Sequence, residues 1–274
     1  MTAQGIPKRL PIWRSIWVPR INSGDYKKSK KEEKIPQSKS TTRLNKYLSN
    51  AGLCSRREAD EHIKMGLVQV NGKVILEMGY QVHPKDEVKY DGARIKKHPP
   101  VYVLLNKPKG FIASKMTGKI KKPAQELVQK ASPDFLLPIG DMGRPTSGLV
   151  LLTNDEILLA KLSHSQKIPM VYKITLEKNI TETLQKKLME GVLFQDKTYR
   201  FKAITPLEGK PKNELGVEVL GIGPSTLLRI MESVGNKILL LDRVVIGGLT
   251  KKELPRGNWR FLTSKEVGFL NMFS

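Results

Sequence analysis

Residues 138–155, PIGDMGRPTSGLVLLTND, join a glycine-rich turn to an apolar strand. Gly140 and Gly143 give the turn conformational freedom, and the apolar run that follows is typical of a buried strand. Such a turn is the kind of loop that presents functional groups at the end of a strand. Asp141 is the carboxylate of this turn, which makes it the first candidate for chemistry there.

Strands and helices are both predicted around this stretch. Apolar or alternating segments at 101–111, 170–178, 215–223 and 237–249 predict strands, and segments at 155–164, 181–192 and 225–236 predict helices. The two kinds of element follow one another without the regular strand–helix alternation of a Rossmann fold or a TIM barrel. No phosphate-binding loop or dinucleotide motif is present. The pattern therefore favours an α+β fold.

A smaller unit precedes this part of the chain. Residues 43–53 form an amphipathic helix with Thr42 as its expected cap, and Ser55 with Glu58 forms a capping-box pattern that starts a second helix. Asn71-Gly72 lies between short alternating runs, which is a strong hairpin signal, and residues 86–95 predict a second hairpin. We expect a helix–helix–strands module at 43–90, a linker at 91–100 and a larger domain at 101–274.

The charge of the chain is strongly basic. The 274 residues include 48 Lys and Arg against 26 Asp and Glu, which gives a net charge of +22. Residues 1–42 hold ten basic and three acidic residues among prolines and serines, and this composition predicts a disordered basic arm. An excess of this size indicates a polyanionic partner, with nucleic acid favoured over a membrane surface. The arm is either a solubilising tail or an RNA contact, and Trp13 and Trp17 favour the contact.

Metal centres, disulfides and targeting segments are not expected. Cys54 is the one cysteine, so an internal disulfide is excluded, and the four histidines are scattered without the spacing of metal ligands. The first twenty residues are basic, but Pro7, Pro11 and Pro19 oppose an amphipathic transit helix, and no secretory apolar segment follows. We therefore expect a cytoplasmic protein without a metal or a cofactor.

Residues 43–73, RLNKYLSNAGLCSRREADEHIKMGLVQVNGK, closely resemble the alpha-L or S-four RNA-binding module of ribosomal proteins and RNA-modifying enzymes. Basic and polar residues fall at helix starts and at a hairpin tip, where cations and backbone N–H groups can hold phosphates together. The resemblance gives as candidate RNA contacts Arg43, Lys46, Ser55, Arg56, Arg57, Asn71 and Lys73.

The larger domain resembles the ribosomal RNA pseudouridine synthases that carry this module. VYVLLNKPKGFI (101–112), TSGLVLLTND (146–155), VYKITL (171–176), LDRVVIGGL (241–249) and LPRGNWRFLT (254–263) follow in the order seen in that family. The resemblance implies a mostly antiparallel mixed sheet and an RNA partner. It also implies a reaction without cofactor or metal, in which a flipped-out uridine is cleaved from its ribose and rejoined through carbon.

In the family, an aspartate acts at the ribose, a tyrosine stacks on the base and a basic side chain pairs with the aspartate. Thr146, Gly148 and Leu149 fix the register of this chain on the aspartate motif, and Gly143 then stands at the catalytic aspartate position. Tyr172 matches the tyrosine. The segment GPSTLL (223–228) replaces an arginine-rich run, of which Arg229 remains. The resemblance adds Lys107, Lys109 and Arg243 as candidate RNA contacts.

Three functions are compatible with this sequence. The favoured one is an RNA-binding, catalytically impaired member of the family that acts on ribosomal RNA or in ribosome assembly, as a monomer. The second is an active synthase that uses a displaced carboxylate, Asp141 or an acid from elsewhere, on one uridine of ribosomal RNA. Residues two apart in an extended segment are about 6.5 Å apart, which makes Asp141 a poor substitute. The third is a protein that binds another structured RNA, such as transfer RNA.

Overall fold

The structure is a computed structural model that describes residues 41–95, 98–115, 121–163 and 165–273. Nearly all of the predicted basic arm, with Trp13 and Trp17, lies outside these residues. Along the described chain, no helix combines the length and apolarity needed to cross a bilayer.

The N-terminal module folds as two short helices against small sheets. The sheet order is β3-β2-β5-β6, and β1 pairs with β4. The two helices and the strands enclose a core formed by Leu44, Tyr47, Leu48, Ala59, Ile63, Val68, Val70, Val82 and Val88. In chain order the elements are β1 (Thr42–Arg43), α1 (Leu44–Asn50), α2 (Arg56–Lys64), β2 (Val68–Val70), β3 (Lys73–Val74), β4 (Gln81–Val82), β5 (Val88–Tyr90) and β6 (Ala93–Arg94).

Local signals in the sequence explain most of this module. The capping box of Ser55 and Glu58 starts α2, as predicted. Asn71 and Gly72 both have positive φ, 52° and 81°, as a two-residue turn that matches the strand twist requires. Two details differ from expectation. Thr42 pairs in β1 instead of capping α1. The predicted second hairpin forms from β5 and β6, but it extends the module past the expected boundary at residue 90 to Ile95, which packs on the core of the module.

The larger domain is built on one mixed sheet. Its strand order is β13-β14-β10-β15-β9-β7-β17, with β8 beside β9 and β16 beside β15. The β15–β9 pair is parallel and the other pairs are antiparallel, which confirms the predicted α+β fold. The strands are β7 (Tyr102–Lys107), β8 (Leu137–Pro138), β9 (Ser147–Thr153), β10 (Pro169–Leu176), β11 (Val192–Phe194), β12 (Lys197–Tyr199), β13 (Phe201–Pro206), β14 (Glu214–Leu220), β15 (Ile238–Ile246), β16 (Leu249–Thr250) and β17 (Trp259–Phe261).

Both faces of the central strands are buried. Leu149 and Leu151 of β9 point into a large core on one face, whereas Val150 and Leu152 point into a smaller core on the other. This explains why the strand has an unbroken apolar run instead of an alternating pattern. The helices are α3 (Glu156–Ser163), α4 (Glu182–Glu190), α5 (Pro224–Ser233) and α6 (Ser264–Asn271), with a 3-10 helix at Ala124–Ala131 beside the smaller core.

Candidate nucleic-acid interface and catalytic loop

The turn that leads into β9, residues 140–146, is held by backbone pairing to a neighbouring loop. Met142 is fully buried and exchanges two hydrogen bonds with Ala113, of 2.8 and 2.9 Å. The adjacent Asp141 is exposed to solvent. Burial of Met142 therefore fixes which residues of the turn face the core and which face the solvent.

Gly143 occupies an open place in this turn. Its carbonyl oxygen accepts a 2.9 Å hydrogen bond from the Thr146 hydroxyl. A Cβ added at Gly143 would meet only the Pro145 Cδ, at 3.5 Å, which is an ordinary contact, and its φ lies outside the left-handed region. The backbone at this position therefore accepts a side chain, and glycine is not required there for steric reasons.

Lys107 supports the same turn from within. Its side chain is fully buried at the end of β7 and its Nζ donates to the carbonyl oxygens of Phe111, Gly143 and Thr146 at 2.7, 3.1 and 2.8 Å. Burial lowers its pKa to about 8, and the nearby charges of Arg256 and Arg243 act in the same direction. The ammonium group faces carbonyl oxygens inside the protein, so this structure gives no support to the predicted RNA contact of Lys107, which stays a prediction.

Gly148 allows β9 and β15 to approach each other. A Cβ at this position would lie 2.3 Å from the backbone oxygen of Arg243, and the φ of Gly148 is +109°. Only a residue without a side chain fits such a contact. The glycine of the TSGL segment is therefore a structural requirement of the parallel pair that places the turn.

Tyr172 and Arg243 pair across β10 and β15 and are both almost completely buried. The Tyr172 hydroxyl donates a 2.8 Å hydrogen bond to the carbonyl oxygen of Ile222, and Arg243 Nε donates a 2.6 Å bond to that of Leu149. Burial raises the pKa of Tyr172. Arg243 is buried and exposes no donor to RNA in this structure, so its predicted RNA contact stays a prediction. The ring of Tyr172 has no free face for a base.

Arg229 does not lie in the core with Tyr172. It is exposed on α5, and its guanidinium lies over the ring of Phe194, 5.3 Å from the centroid. Leu228, the preceding residue of the segment that replaces the arginine-rich run, packs against the large core. The structure therefore assigns Arg229 a packing contact with the β11 strand, and its predicted catalytic role has no support from that contact.

Asp242 is the acid that sequence reasoning missed. It lies on β15 directly opposite Ser147, the first residue of β9. Arg256 donates to both of its carboxylate oxygens, at 2.9 and 3.2 Å, and Lys251 also forms an ion pair with it. Burial raises the pKa of Asp242, but the hydrogen bonds from Arg256 and Lys251 outweigh it and lower the pKa below the usual value. The carboxylate of Asp242 therefore forms ion pairs with two cations.

The candidate RNA contacts of the N-terminal module divide into two groups. Arg43, Arg56, Arg57 and Lys73 are exposed, as is Lys109 of the larger domain. Ser55 caps α2, and Asn71 bonds to Asp86 and Glu87 just before β5, so both have structural partners. Lys46 forms an ion pair with Glu156 at the start of α3, to which Asn50 also donates. That pairing, which no local sequence signal indicated, joins the module to the larger domain.

No group of three or more potential metal ligands occurs in the described ranges. Cys54 is half-buried, and burial raises the pKa of its thiol, with the charge of Glu58 adding to the effect.

Comparison with known proteins identifies an RNA-binding domain and an RNA-modifying domain along the chain. Residues 42–88 match the model of the S4 domain, and residues 101–231 match that of RNA pseudouridylate synthase. Ribosomal large subunit pseudouridine synthase B of Bacillus subtilis (strain 168) is 34% identical over 229 residues, covering 82% of this chain and 93% of that protein. The dual-specificity RNA pseudouridine synthase RluF of Escherichia coli (strain K12) is 32% identical over 239 residues, covering 83% of this chain and 78% of that protein.

A crystal structure of a pseudouridylate synthase has the same fold. The two chains superpose with a TM-score of 0.57 at 24% identity, over 83% of this chain and 99% of that one. These matches confirm the resemblance drawn from the sequence motifs.

Proposed function

Because this chain belongs to the RNA pseudouridylate synthase family whose members carry an N-terminal S4 domain, we propose that it binds ribosomal RNA without isomerising uridine. The observation that carries the proposal is Gly143, which stands where the family resemblance places the catalytic aspartate. Without that carboxylate, the step at the ribose has no acid or nucleophile at the expected position. The protein would then act through binding, on ribosomal RNA or on an assembling ribosomal subunit.

The carboxylates near this position are poor replacements. Asp141 lies two residues from Gly143 and is exposed, and the residue between them, Met142, is fixed in the core. Residues two apart in an extended segment are about 6.5 Å apart, while a general acid or base must reach its partner at about 3 Å. Asp242 lies opposite Ser147 at the start of β9. Its carboxylate is already bonded to Arg256 and Lys251, so it is a structural ion-pair partner and a poor replacement for the catalytic aspartate.

The surroundings of Tyr172 support the same proposal. A base that stacks on a tyrosine needs one open face of the ring, and this ring is fully buried with its hydroxyl bonded to Ile222. Arg243 next to it has an Nη2 atom without a hydrogen-bond partner among the described residues. A buried guanidinium with an unused donor fits a site whose carboxylate has been lost, since an aspartate is the usual partner of such a group.

RNA binding is supported by the module and by the charge. The exposed arginines at the start of α2, Arg56 and Arg57, lie where helix N-terminal N–H groups can share a phosphate with them. The net charge of +22 adds long-range attraction. The choice of ribosomal RNA over another structured RNA follows the Bacillus subtilis relative, which is named a ribosomal large subunit pseudouridine synthase.

The deciding experiment incubates the purified full chain with ribosomal RNA of its own organism and maps pseudouridine by chemical adduct and primer stop. We expect no new pseudouridine, together with RNA binding that weakens steeply with salt. A site-specific pseudouridine that disappears in Asp141→Asn would establish the active-synthase alternative instead. Binding to transfer RNA that exceeds binding to ribosomal RNA would favour the third function.

Location and oligomeric state are part of the proposal. We place the protein in the cytoplasm as a monomer that associates with ribosomal subunits. Co-sedimentation of the native protein with subunits on a sucrose gradient, and light scattering of the purified chain, test these two statements. A dimer in light scattering, or exclusion from all ribosomal fractions, would contradict them.

A further inference from the structure

The β3 strand lies at one edge of the small sheet of the N-terminal module, whose order is β3-β2-β5-β6. Its pairing with β2 places Val74 opposite Gln69, and Ile75 N donates a 3.0 Å hydrogen bond to Val68 O. In an antiparallel strand, the backbone groups of successive residues face opposite sides. The N–H and C=O groups of Val74 and Leu76 therefore point away from β2, toward an edge where the described chain places no further strand.

Large apolar side chains are exposed along this edge. Val74 is 51% exposed and Leu76 is 61% exposed, and Met65 at the end of α2 is 69% exposed. A Cβ added at Gly66 would lie 3.5 Å from Val74 Cγ1 and 3.7 Å from Leu76 Cδ2, so these two side chains lie together over Gly66. Ile75, between them in the chain, packs against the core of the module. Unpaired backbone groups beside exposed apolar side chains form a template for another strand.

The charges of the segment fit a second copy of the same segment. Lys73 and Glu77 border the edge residues on either side, and both are exposed. Two copies that pair antiparallel about Ile75 place each Val74 opposite Leu76 of the other copy, where the outward backbone groups exchange hydrogen bonds. The same register places each Lys73 opposite Glu77. Opposite charges in directly facing positions stabilise a pair of strands, and like charges destabilise it.

We propose that residues 73–77, called the β3 edge from here on, join two copies of this chain by antiparallel strand pairing about Ile75. The partner is a second copy because the β3 edge is complementary to itself in hydrogen bonding, apolar contact and charge, as a twofold interface requires. The contact is much smaller than the roughly 20–30 residues a side of a stable interface. Free chains therefore stay monomeric in dilute solution, as proposed above, and pair where they are concentrated.

The basic start of α2 stays accessible in such a pair. Arg56 and Arg57 are exposed in the first turn of α2, whereas Met65 is the C-cap at the other end of the helix, next to the glycine over which the β3 edge packs. Two paired modules therefore present two basic surfaces at once. No RNA takes part in the contact itself, so the inference goes beyond the proposed function and does not rest on it.

Disulfide cross-linking of the full chain tests the register. Val74→Cys and Leu76→Cys are made separately in a Cys54→Ser background, which removes the native thiol. Residues in a hydrogen-bonded antiparallel pair have Cα atoms about 5.5 Å apart, which is within the range of a disulfide. We expect the mixture of the two variants to form several-fold more cross-linked dimer under mild oxidation than either variant alone. Leu193→Cys, at a site on β11 that is 71% exposed, is the matched control and should give only a background yield with Leu76→Cys.

Exchange of charge tests the same register without a covalent bond. Lys73→Glu places like charges opposite each other when two identical chains pair, and Glu77→Lys does the same with the opposite sign. A mixture of these two variants restores opposite charges at both positions. Sedimentation equilibrium at high protein concentration should show self-association of the wild type, several-fold weaker association of each variant alone, and recovery in the mixture. Unfolding temperatures verify that every variant is folded.

Three results would overturn the inference. A mixed cross-linking yield no higher than that of the Leu193→Cys control would show that the β3 edge does not pair. Cross-linking of Val74→Cys with itself as efficient as in the mixture would indicate a parallel pairing and exclude the register about Ile75. Self-association that both charge variants leave unchanged would place the contact elsewhere on the chain. None of these results bears on RNA binding, which is measured separately.

Discussion

The ammonium group of Lys107 donates a hydrogen bond to the carbonyl oxygen of Gly143, at 3.1 Å. The same group bonds to Thr146 O and Phe111 O, so one buried cation holds the middle and the end of the turn and the loop beside it. The geometry of the turn thus depends on a side chain in β7 and does not depend on the identity of residue 143. This explains how the turn keeps its shape without an aspartate.

Replacing Lys107 with Met should destabilise the fold. The substitution keeps most of the length of the side chain but leaves several buried carbonyl oxygens without the ammonium donor, and each such loss costs about 1–3 kcal/mol. We expect the free energy of unfolding in urea to fall by about 2–4 kcal/mol. Lys109→Met, on the same loop but exposed, is the matched control and should change it by less than about 0.5 kcal/mol. Equal losses in the two variants would contradict the supporting role of Lys107.

Alanine should be tolerated at Gly143 and rejected at Gly148. At Gly143 the nearest atom to a new Cβ is 3.5 Å away, whereas at Gly148 the Arg243 backbone oxygen would be 2.3 Å away and φ is +109°. We expect the free energy of unfolding of Gly143→Ala to lie within about 0.5 kcal/mol of that of the wild type. We expect Gly148→Ala to lower the free energy of unfolding by more than about 3 kcal/mol or to prevent folding. Thermal unfolding of the two variants measures this. Similar unfolding temperatures would show that the close approach of β9 and β15 is not obligatory.

Asp242 should make the fold sensitive to acid. Its pKa is lowered in the folded protein by Arg256 and Lys251, so the unfolded chain takes up a proton more readily and the stability that the ion pairs supply is lost as the pH falls. This contribution is complete above about pH 4, the usual aspartate pKa, and disappears below it. Unfolding free energies measured at pH 3 to 7 should fall more steeply for the wild type than for Asp242→Asn. Parallel pH profiles would exclude this role.

Removing the hydroxyl of Tyr172 should affect stability and not RNA binding. The hydroxyl is bonded to Ile222 O inside the core, so Tyr172→Phe leaves a buried acceptor unsatisfied and should cost about 1–2 kcal/mol. Because the ring has no exposed face, the affinity of the Tyr172→Phe variant for labelled ribosomal RNA should equal that of the wild type. Weaker RNA binding in a folded Tyr172→Phe variant would mean that the ring becomes accessible to a base.

Releasing Lys46 from Glu156 should strengthen RNA binding. The ion pair is partly exposed and should contribute no more than about 1 kcal/mol to stability, but it holds a cation that a phosphate could use. Glu156→Gln is therefore expected to raise the affinity for RNA and to steepen its salt dependence, with little change in the unfolding temperature. If Lys46→Met in the Glu156→Gln background does not reverse the gain, Lys46 is not the residue released.

The sequence predicted those features that depend on neighbours in the chain. Ser55 and Glu58 are three residues apart and Asn71 precedes Gly72, so the cap and the hairpin follow from local chemistry. The position of Lys107 depends on carbonyl groups of residues up to 39 positions away, and a lysine in a basic loop gives no local sign that it turns inward. The same holds for Arg243, whose partner Leu149 is 94 positions away.

Asp242 is a charged residue of the site that the sequence did not indicate. A single acid in an apolar strand gives no periodic signal, and the cations that bind it follow β15 in loops whose course is set by tertiary structure. Family motifs located Gly143, but only the tertiary structure shows that its surroundings are rich in cations and that Tyr172 is covered.

The pairing of β17 with β7 also bears on the order in which the protein is made. Trp259 pairs with Leu105 and Phe261 with Val103, so this edge of the sheet is completed only after residues 259–261 have been synthesised, long after β7. The strands of the N-terminal module pair within about 50 residues of one another and can form much earlier. A nascent chain can therefore pair the strands of the N-terminal module while the larger domain still lacks its edge strand β17.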